Sequence, residues 1–371
     1  MPMPKTTKTY RLRSFDKDLG GLVLDDVPLP DALGETQVLV RIHAVSLNAR
    51  DLQIATGTYP APVAFPSGLV PLSDGAGEVL ATGSRVETCK PGDRVVTHLC
   101  AEWTHGEIGN QMQQTALGGG KDGVFAQHVV LDQGNLLPIP SHMSYEEAST
   151  LPVAALTAYH CLFGFASTLQ PGQAILVEGT GGVSLAALQL ALAAGARPIV
   201  ISSSDDKLQR CKQMGVAQSD LINYRTNPMW HDEVRRLTQG KGVDHTIEIG
   251  GRDTLVKATL ATRPYGSVWV VGYMDDYKTP SSSTSELPDM AKAVLYSQAE
   301  VKGVMCGSYQ LFQQFLAAHA VAHQRVESGL AKTNWLQPVV DQVFDFNDAK
   351  QAFETLRSGS FFGKIVVRVQ Q

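Results

Sequence analysis

From residue 174 the chain reads Ala-Ile-Leu-Val-Glu178, then Gly179-Thr180-Gly181-Gly182-Val183, then a helical pattern to Gly195, then Ala-Arg-Pro-Ile-Val-Ile201. Glycines at a strand-to-helix turn let backbone approach a pyrophosphate. A helix beginning near Gly182 adds unpaired N–H donors and the positive end of its dipole. The chemistry on offer is the holding of a dinucleotide, NAD or NADP. Ser184 stands where a full G-x-G-x-x-G pattern has its last glycine, so the motif rests on its strand, turn and helix context. The second apolar run ends Ile201-Ser202-Ser203-Ser204-Asp205-Asp206-Lys207. Sites that prefer NAD place an acid about 20 residues past the turn, on the ribose hydroxyls; the matching residue here is Ser203. Small hydroxyls at Ser202, Ser203 and Ser204 leave room for a 2′-phosphate, and Lys207 can pair with it as a point charge. Asp205 and Asp206 repel a phosphate if they turn inward, or else start the next helix, whose first turn favours acids. The expectation is NADP(H) over NAD(H).

Such a site needs a sheet to carry it. The βα alternation continues through 221–224, 244–249, 266–272 and 301–305, with helical segments between most of them. With the first two runs they make six strands, the number in a complete doubly wound, Rossmann-type parallel sheet. Ligands of such sheets sit beyond the carboxyl ends of the strands. That rule adds Gly250 and Gly251, Gly272 and Tyr273, and Cys306 and Gly307 to the candidate cofactor contacts. Cys306 is not expected to be a nucleophile, since hydride transfer needs none.

The remainder of the chain has a different texture. At 371 residues it exceeds a single core, so two domains are expected. Residues 1–140 carry short β-rich runs such as 37–43 and 93–97, split by turn signals such as Lys90-Pro-Gly-Asp93. They read as an antiparallel, partly barrel-like domain. The glycine-rich stretch 100–123 reads as a mobile loop with a functional role. Ser144 with Glu147 three positions on forms a capping-box signature, near where the chain enters a nucleotide domain spanning 141–310. Residues 311–371 return to strand texture and are expected to rejoin the first domain. The run Ser-Ser-Ser-Thr-Ser at 281–285 reads as a surface loop.

Composition narrows the function classes. The hydrophobic share of 43% and charged share of 18% are those of a soluble globular protein. No apolar run reaches the roughly 18 residues of a membrane span. Net charge is −5 and no basic stripe tracks phosphates, so no nucleic-acid partner is expected. Cys89, Cys100, Cys161, Cys211 and Cys306 are odd in number and widely spaced, which suggests thiols in a reducing, cytoplasmic compartment. His98, Cys100 and His105 match no zinc spacing and lack a fourth ligand.

Several motifs in order resemble the medium-chain dehydrogenase/reductase superfamily, in its zinc-independent alcohol-dehydrogenase-like and quinone-oxidoreductase-like branch. They are Val45-Ser-Leu-Asn48-Ala-Arg50-Asp51, Ser73-Asp74-Gly-Ala-Gly77-Glu78, Lys90-Pro-Gly-Asp-Arg-Val95, the stretch from Ala148 through Thr157 to Tyr159, the glycine turn, and Ser358-Gly-Ser-Phe-Phe-Gly-Lys364. The resemblance covers essentially the whole chain. It implies a GroES-like first domain beside the Rossmann-type one, an α/β architecture overall. It also implies that Thr157, Tyr224, Phe362 and Lys364 lie near the cofactor, and it supports Lys207 in that role.

Zinc enzymes of that superfamily bind their catalytic metal through a Cys, a His and a second Cys or Asp. The matching positions here are Asn48, Ser73 and Val153, so no metal is expected. Charge developing on a carbonyl or enolate oxygen must then be met by hydrogen bonds or a fixed cation. Asn48 offers an amide, Arg50 a permanent charge and Tyr59 a phenol. The resemblance implies that the positions matching Asn48 and Tyr59 line the nicotinamide and substrate cleft. The structural alternative pairs Arg50 with Asp51 and packs Tyr59 against prolines. The expected activity is hydride transfer between NADP(H) and a small-molecule α,β-unsaturated carbonyl or quinone, with an alcohol/aldehyde pair as the alternative substrate. A non-catalytic NADPH-binding protein of crystallin type is the alternative of another class. A homodimer is expected from the symmetry habit of soluble enzymes.

Overall fold

Short runs of Val, Ile and Leu between Gly, Pro and Asp turns build the first of two units, Met1–Leu156 with Cys306–Gln371; the second is Thr157–Met305. The computed structural model describes residues 4–60, 64–109, 112–274 and 289–370. The serine-rich run at 281–285 and part of the 100–123 stretch lie outside the described residues.

The first unit begins with β1 (Thr6–Leu12), β2 (Leu22–Pro28), β3 (Gln37–Ser46), β4 (Asp74–Thr82), β5 (Arg94–Thr97), β6 (His128–Asp132) and β7 (Leu136–Pro138). The second unit holds β8 (Ala174–Glu178), β9 (Arg197–Ser202), β10 (Leu221–Asn223), β11 (Val243–Glu248), β12 (Thr262–Val270) and β13 (Glu300–Gly303). The chain then returns for β14 (Val340–Asp345) and β15 (Lys364–Arg368).

In the first unit, β1 and β2 form an antiparallel pair from Thr6 opposite Pro28 to Leu12 opposite Leu22. A seven-stranded sheet runs β14-β15-β3-β4-β5-β7, with β6 also on β3. Its pairs are antiparallel except β14 with β15. β3 contacts three neighbours, and Val38, Leu39, Val40, Ile42, Ala44 and Val45 are all fully buried on it. That central strand delivers the chain directly into the helix Ala49–Ala55. The first unit extends beyond residue 140 because the capping-box helix Tyr145–Ser149 packs on β3, β4 and β15. Its signature is present as expected: Ser144 Oγ accepts from the Glu147 N–H at 3.1 Å, and Glu147 Oε2 accepts from the Ser144 N–H at 2.8 Å.

All pairs of the second unit are parallel, in the order β10-β9-β8-β11-β12-β13. β8 and β9 are near-continuous apolar runs, as expected where both faces of a sheet are covered, whereas β11 buries Asp244, His245, Thr246 and Glu248 beside Val243 and Ile247. Leu176, Ile199, Ile201, Ile222, Trp230, Val234, Val243 and Val268 pack in one buried cluster. Each such aliphatic side chain contributes about 2 kcal/mol of burial. Strand order reverses between β8 and β11, which makes their carboxyl ends the topological switch point where ligands of these sheets sit. No helix among the described residues is long and apolar enough to cross a membrane.

Candidate active site

β8 ends at Glu178, and the chain turns at Gly179 with φ of +72°, a conformation glycine adopts without strain. The Gly179 N–H donates to Ile201 O at 2.8 Å, which ties the turn to the end of β9. Gly181 is the N-cap of the helix Gly182–Ala193, and no side chain caps that helix. A Cβ built on Gly181 would meet nothing within 4 Å. The opening amides of a twelve-residue helix thus stand uncapped beside open space, an arrangement that fits a pyrophosphate. Thr180 is buried, and Val183 is half-buried on the first turn. Ser184 explains the imperfect motif: its buried hydroxyl donates to Glu178 O at 2.7 Å.

At the end of β9, buried Ser202 accepts through Oγ from the Ser204 N–H at 3.3 Å. Ser204 caps the helix Asp205–Gln213 by accepting from the Lys207 N–H at 3.4 Å. Ser203 and Lys207 are half-buried. Asp205 accepts from Asn223 Nδ2 at 2.8 Å and Asp206 lies in the first helical turn, so both acids sit at the helix start, where its dipole favours them. Tyr224 packs its ring against the second unit's apolar cluster; this ring serves the core. The loops beyond β11 and β12 are joined by the Met274 N–H donating to Gly250 O at 2.9 Å. That bond brings Gly250, Gly251, Gly272 and Tyr273 to one end of the sheet.

Two acids stand at the same switch point, and their residue types alone gave no hint of it. Glu178 and Glu248, at the last positions of β8 and β11, are almost wholly buried, and Glu178 Oε1 and Glu248 Oε2 have no hydrogen-bond partner among the described residues. Glu248 Oε1 accepts from the Gly251 N–H at 2.8 Å and from Thr254 Oγ1. Burial and the Glu248 carboxylate hold Glu178 well above the ordinary carboxylate range, and burial raises Glu248 as well. Protonating one of them relieves the cost of burying both charges.

In the first unit the chain passes from β3 to the helix Ala49–Ala55 through Leu47 and Asn48. The Leu47 N–H donates to Ile365 O at 3.0 Å, which sets the start of β15 beside this junction. Lys364, 5% exposed, donates from Nζ to Asn48 Oδ1 at 2.5 Å and to Leu47 O at 2.6 Å. The same Nζ stands 3.6 Å from Asp74 Oδ2. Asp74 is wholly buried and also accepts from Ser73 Oγ at 2.9 Å and Ser46 Oγ at 3.3 Å. Asp51 Oδ2 accepts from the Asn48 N–H at 2.7 Å. Burial lowers Lys364 from the ordinary lysine range, against the pull of Asp74 and Asp51. Burial likewise pushes Asp51 up to about 6, against the nearby Arg50. Asn48 is 8% exposed, and its Nδ2 has no hydrogen-bond partner among the described residues.

Other sequence-derived candidates lie elsewhere or do other work. Arg50 donates to Leu117 O at 3.1 Å and lies 3.5 Å from Asp51 Oδ1, the geometry of its structural alternative. Tyr59 meets Phe65 edge-on at 5.9 Å. Lys364, expected beside the cofactor, is engaged with Asn48 and Asp74 inside the first unit. Cys306 donates from Sγ to Pro152 O at 3.1 Å, and burial pushes its thiol up to about 12, so it is no nucleophile. Gly307 O accepts from His98 Nε2 at 2.9 Å. Cys306, Gly307 and buried Phe362 all belong to the first unit, whereas buried Thr157 opens the second. Among the described residues no group of three or more His, Cys, Asp or Glu side chains is placed to hold a metal ion.

Comparison with known proteins agrees with this architecture. A family model described as the alcohol dehydrogenase GroES-like domain matches residues 34–141, and one described as zinc-binding dehydrogenase matches residues 182–321. A zinc-type alcohol dehydrogenase-like protein of Schizosaccharomyces pombe is 36% identical over 346 residues, 93% of this chain and 94% of its own. A crotonyl-CoA reductase of Streptomyces avermitilis is 30% identical over 313 residues, 72% of this chain and 69% of its own. The solved structure of an NAD-dependent alcohol dehydrogenase is 32% identical, with a TM-score of 0.81, covering 98% of this chain and all of that one.

Proposed function

Because the chain belongs to the medium-chain dehydrogenase/reductase family of alcohol-dehydrogenase-like oxidoreductases, we propose that it transfers a hydride between NADP(H) and an α,β-unsaturated carbonyl or quinone-like compound without a catalytic zinc. The observation that carries this reading is the Asn48 amide, whose Nδ2 is buried and unpartnered. An amide N–H that no protein group accepts is a donor kept for a substrate oxygen. The likeness to a crotonyl-CoA reductase, whose name describes an unsaturated thioester, favours a conjugated substrate.

The residues matching the family's zinc ligands do not fit the ion. Zinc takes thiolate, imidazole or carboxylate ligands. Here Asn48, one of the matching positions, is engaged by a lysine ammonium that is also paired with Asp74 and would repel a dication beside it. The glycine turn does fit a dinucleotide. Gly181 and Gly182 would hold the pyrophosphate, with Ser203, Ser204 and Lys207 around a 2′-phosphate. Bound there, NADPH would supply the hydride. As the β-carbon of the substrate is reduced, charge collects on its carbonyl oxygen and the α-carbon takes a proton from solvent. Asn48 Nδ2 donates to that oxygen and stabilises it most where its charge is greatest. Tyr59, beside Phe65 and half-buried, would close the substrate end. A homodimer would form through β13, an edge strand whose residues are all exposed.

Turnover of NADPH with a panel of enones, quinones and aldehydes tests the reading. Asn48→Ala is expected to lower kcat about a hundredfold with an enone, since one oxyanion donor is worth roughly that much; unchanged kcat removes the assignment. Lys207→Ala is expected to cut the NADPH over NADH preference about tenfold by loss of one phosphate ion pair. The NAD-dependent structural neighbour supports a second reading, NAD(H) with an alcohol/aldehyde pair. Faster turnover of NADH with aldehydes than of NADPH with enones would establish it.

A further inference from the structure

The unpartnered amide of Asn48 has an orientation that its neighbours determine. An ammonium has three donors and no acceptor, so only the oxygen of an Asn amide can face it. With Lys364 Nζ 2.5 Å from Asn48 Oδ1, the NH2 group must point the other way. There it meets no acceptor among the described residues. An Asn amide turned about its last torsion would put two donors against the ammonium and an oxygen where the substrate oxygen is to be stabilised. That arrangement is repulsive at both ends. A cation on the carbonyl oxygen also draws electron density out of the amide, which makes its N–H groups stronger donors.

The lysine is itself fixed. Its other donor contact is Leu47 O at 2.6 Å, its counter-charge is Asp74 at 3.6 Å, and Asp74 is held by the hydroxyls of Ser73 and Ser46. Lys364, Asn48 and Asp74 all lie within one unit, on β15, the β3 exit and β4. Hydrogen bonds between buried groups of this kind hold one geometry rather than several.

We infer that Lys364 is a positioning residue: its buried ammonium locks and polarises the Asn48 amide so that Nδ2 is the donor presented to the substrate oxygen. A fixed positive charge thereby acts on the reacting oxygen through one amide, at the place where zinc relatives present a metal. Lys364 touches neither substrate nor cofactor in this role. The inference rests on the proposed use of Asn48, and the two are separable by experiment.

The test is a double-mutant cycle on the full-length enzyme, read as kcat, KM and the dissociation constant of NADPH, with a thermal melt to show that each variant is folded. Lys364→Met is expected to lower kcat about tenfold to a hundredfold, a large part of the worth of an oxyanion donor, with KM and NADPH affinity within about twofold. In the Asn48→Ala background the same substitution is expected to change kcat by less than about twofold, because the group it acts through is gone. Lys364→Gln supplies an amide donor to Asn48 Oδ1 without the charge and is expected to restore part of the loss. It also serves where the Met variant does not fold. Asn48→Asp keeps an oxygen for Lys364 but has no donor, and is expected to match Asn48→Ala. An equal fold-loss from Lys364→Met in both backgrounds, or wild-type kcat in both Lys364 variants, overturns the inference and leaves the proposed reaction standing. Wild-type kcat in Asn48→Ala or Asn48→Asp overturns the proposed use of Asn48 itself.

Discussion

Each unit buries two carboxylates near its functional residues, and the two units neutralise them differently. In the first, Asp74 and Asp51 surround the Lys364 ammonium, with Arg50 beside Asp51. In the second, Glu178 and Glu248 stand at neighbouring strand ends; burial raises both acids, and the Glu248 charge raises Glu178 further. A cation among buried acids offsets their charge by direct pairing. Protonation leaves one acid neutral and makes a site whose charge depends on pH. The first solution suits a group that must stabilise negative charge on a substrate. The second keeps net charge low at the strand ends where the glycine turn would receive a pyrophosphate.

The largest effect expected from breaking this contrast is at Asp74. Asp74→Asn keeps the shape and a hydrogen-bonding oxygen but removes the counter-charge 3.6 Å from Lys364. Leaving a buried ammonium with a weakened partner costs about 3 kcal/mol or more, read as a lower midpoint in urea at neutral pH. A midpoint equal to wild type would show that Asp51 alone balances the lysine.

His319 sharpens the comparison as a buried titratable group kept neutral chiefly by burial. It is 2% exposed, both ring nitrogens lack hydrogen-bond partners among the described residues, and its ring lies edge-on to Phe315 at 4.6 Å. Burial, with a smaller contribution from His142, lowers it from 6.5 to about 3. The unfolded chain therefore takes up a proton below its ordinary value while the folded chain does not. Stability is full above that value and falls as pH drops towards about 3. By about pH 4.5 the loss is about 2–3 kcal/mol. His319→Phe is expected to flatten this acid limb, seen in melting temperatures across pH 4 to 7 by a scan at about one-unit steps. Parallel curves for the two proteins would assign the acid loss to other groups.

The sequence showed the second unit more fully than the first. The alternation of strand-like and helical segments with a glycine turn prescribes a parallel sheet, and the strands lie where those segments do, although β11 buries Asp244, His245, Thr246 and Glu248. Ser184 lowered the match to the motif, yet it sits there because a hydroxyl can satisfy the end of β8. The first unit was legible as β-rich, and Asn48 stood out once its place among the resembling motifs was seen. Its partner did not. Lys364 follows Asn48 by more than 300 residues, and only the pairing of β15 with β3 brings the two together. The acids of the switch point were hidden differently: Glu178 and Glu248 end two strands in the sequence, but their meeting depends on β8 and β11 being neighbours across the order reversal.

The smallest effect belongs to that acid pair, and it has the opposite sign to Asp74. Glu178→Gln keeps the size and both hydrogen-bonding functions of the side chain while removing one ionisable group. In the wild type Glu178 is raised above 4.5 in the folded state by burial first and Glu248 second. Folding then holds a proton that the unfolded chain releases. That contribution is complete below the ordinary glutamic acid value and is lost as pH rises through the folded value. The amide variant has no such loss, since its side chain is neutral at every pH. It is therefore expected to match wild type near pH 4.5 and to become the more stable protein as pH increases, by about 1 kcal/mol at mildly alkaline pH. The same acid-to-amide change is thus stabilising at the switch point and destabilising at Asp74. Urea midpoints for both variants at about pH 5 and pH 8 measure the difference, and two shifts of the same sign at pH 8 would show that the pairs are neutralised in the same way.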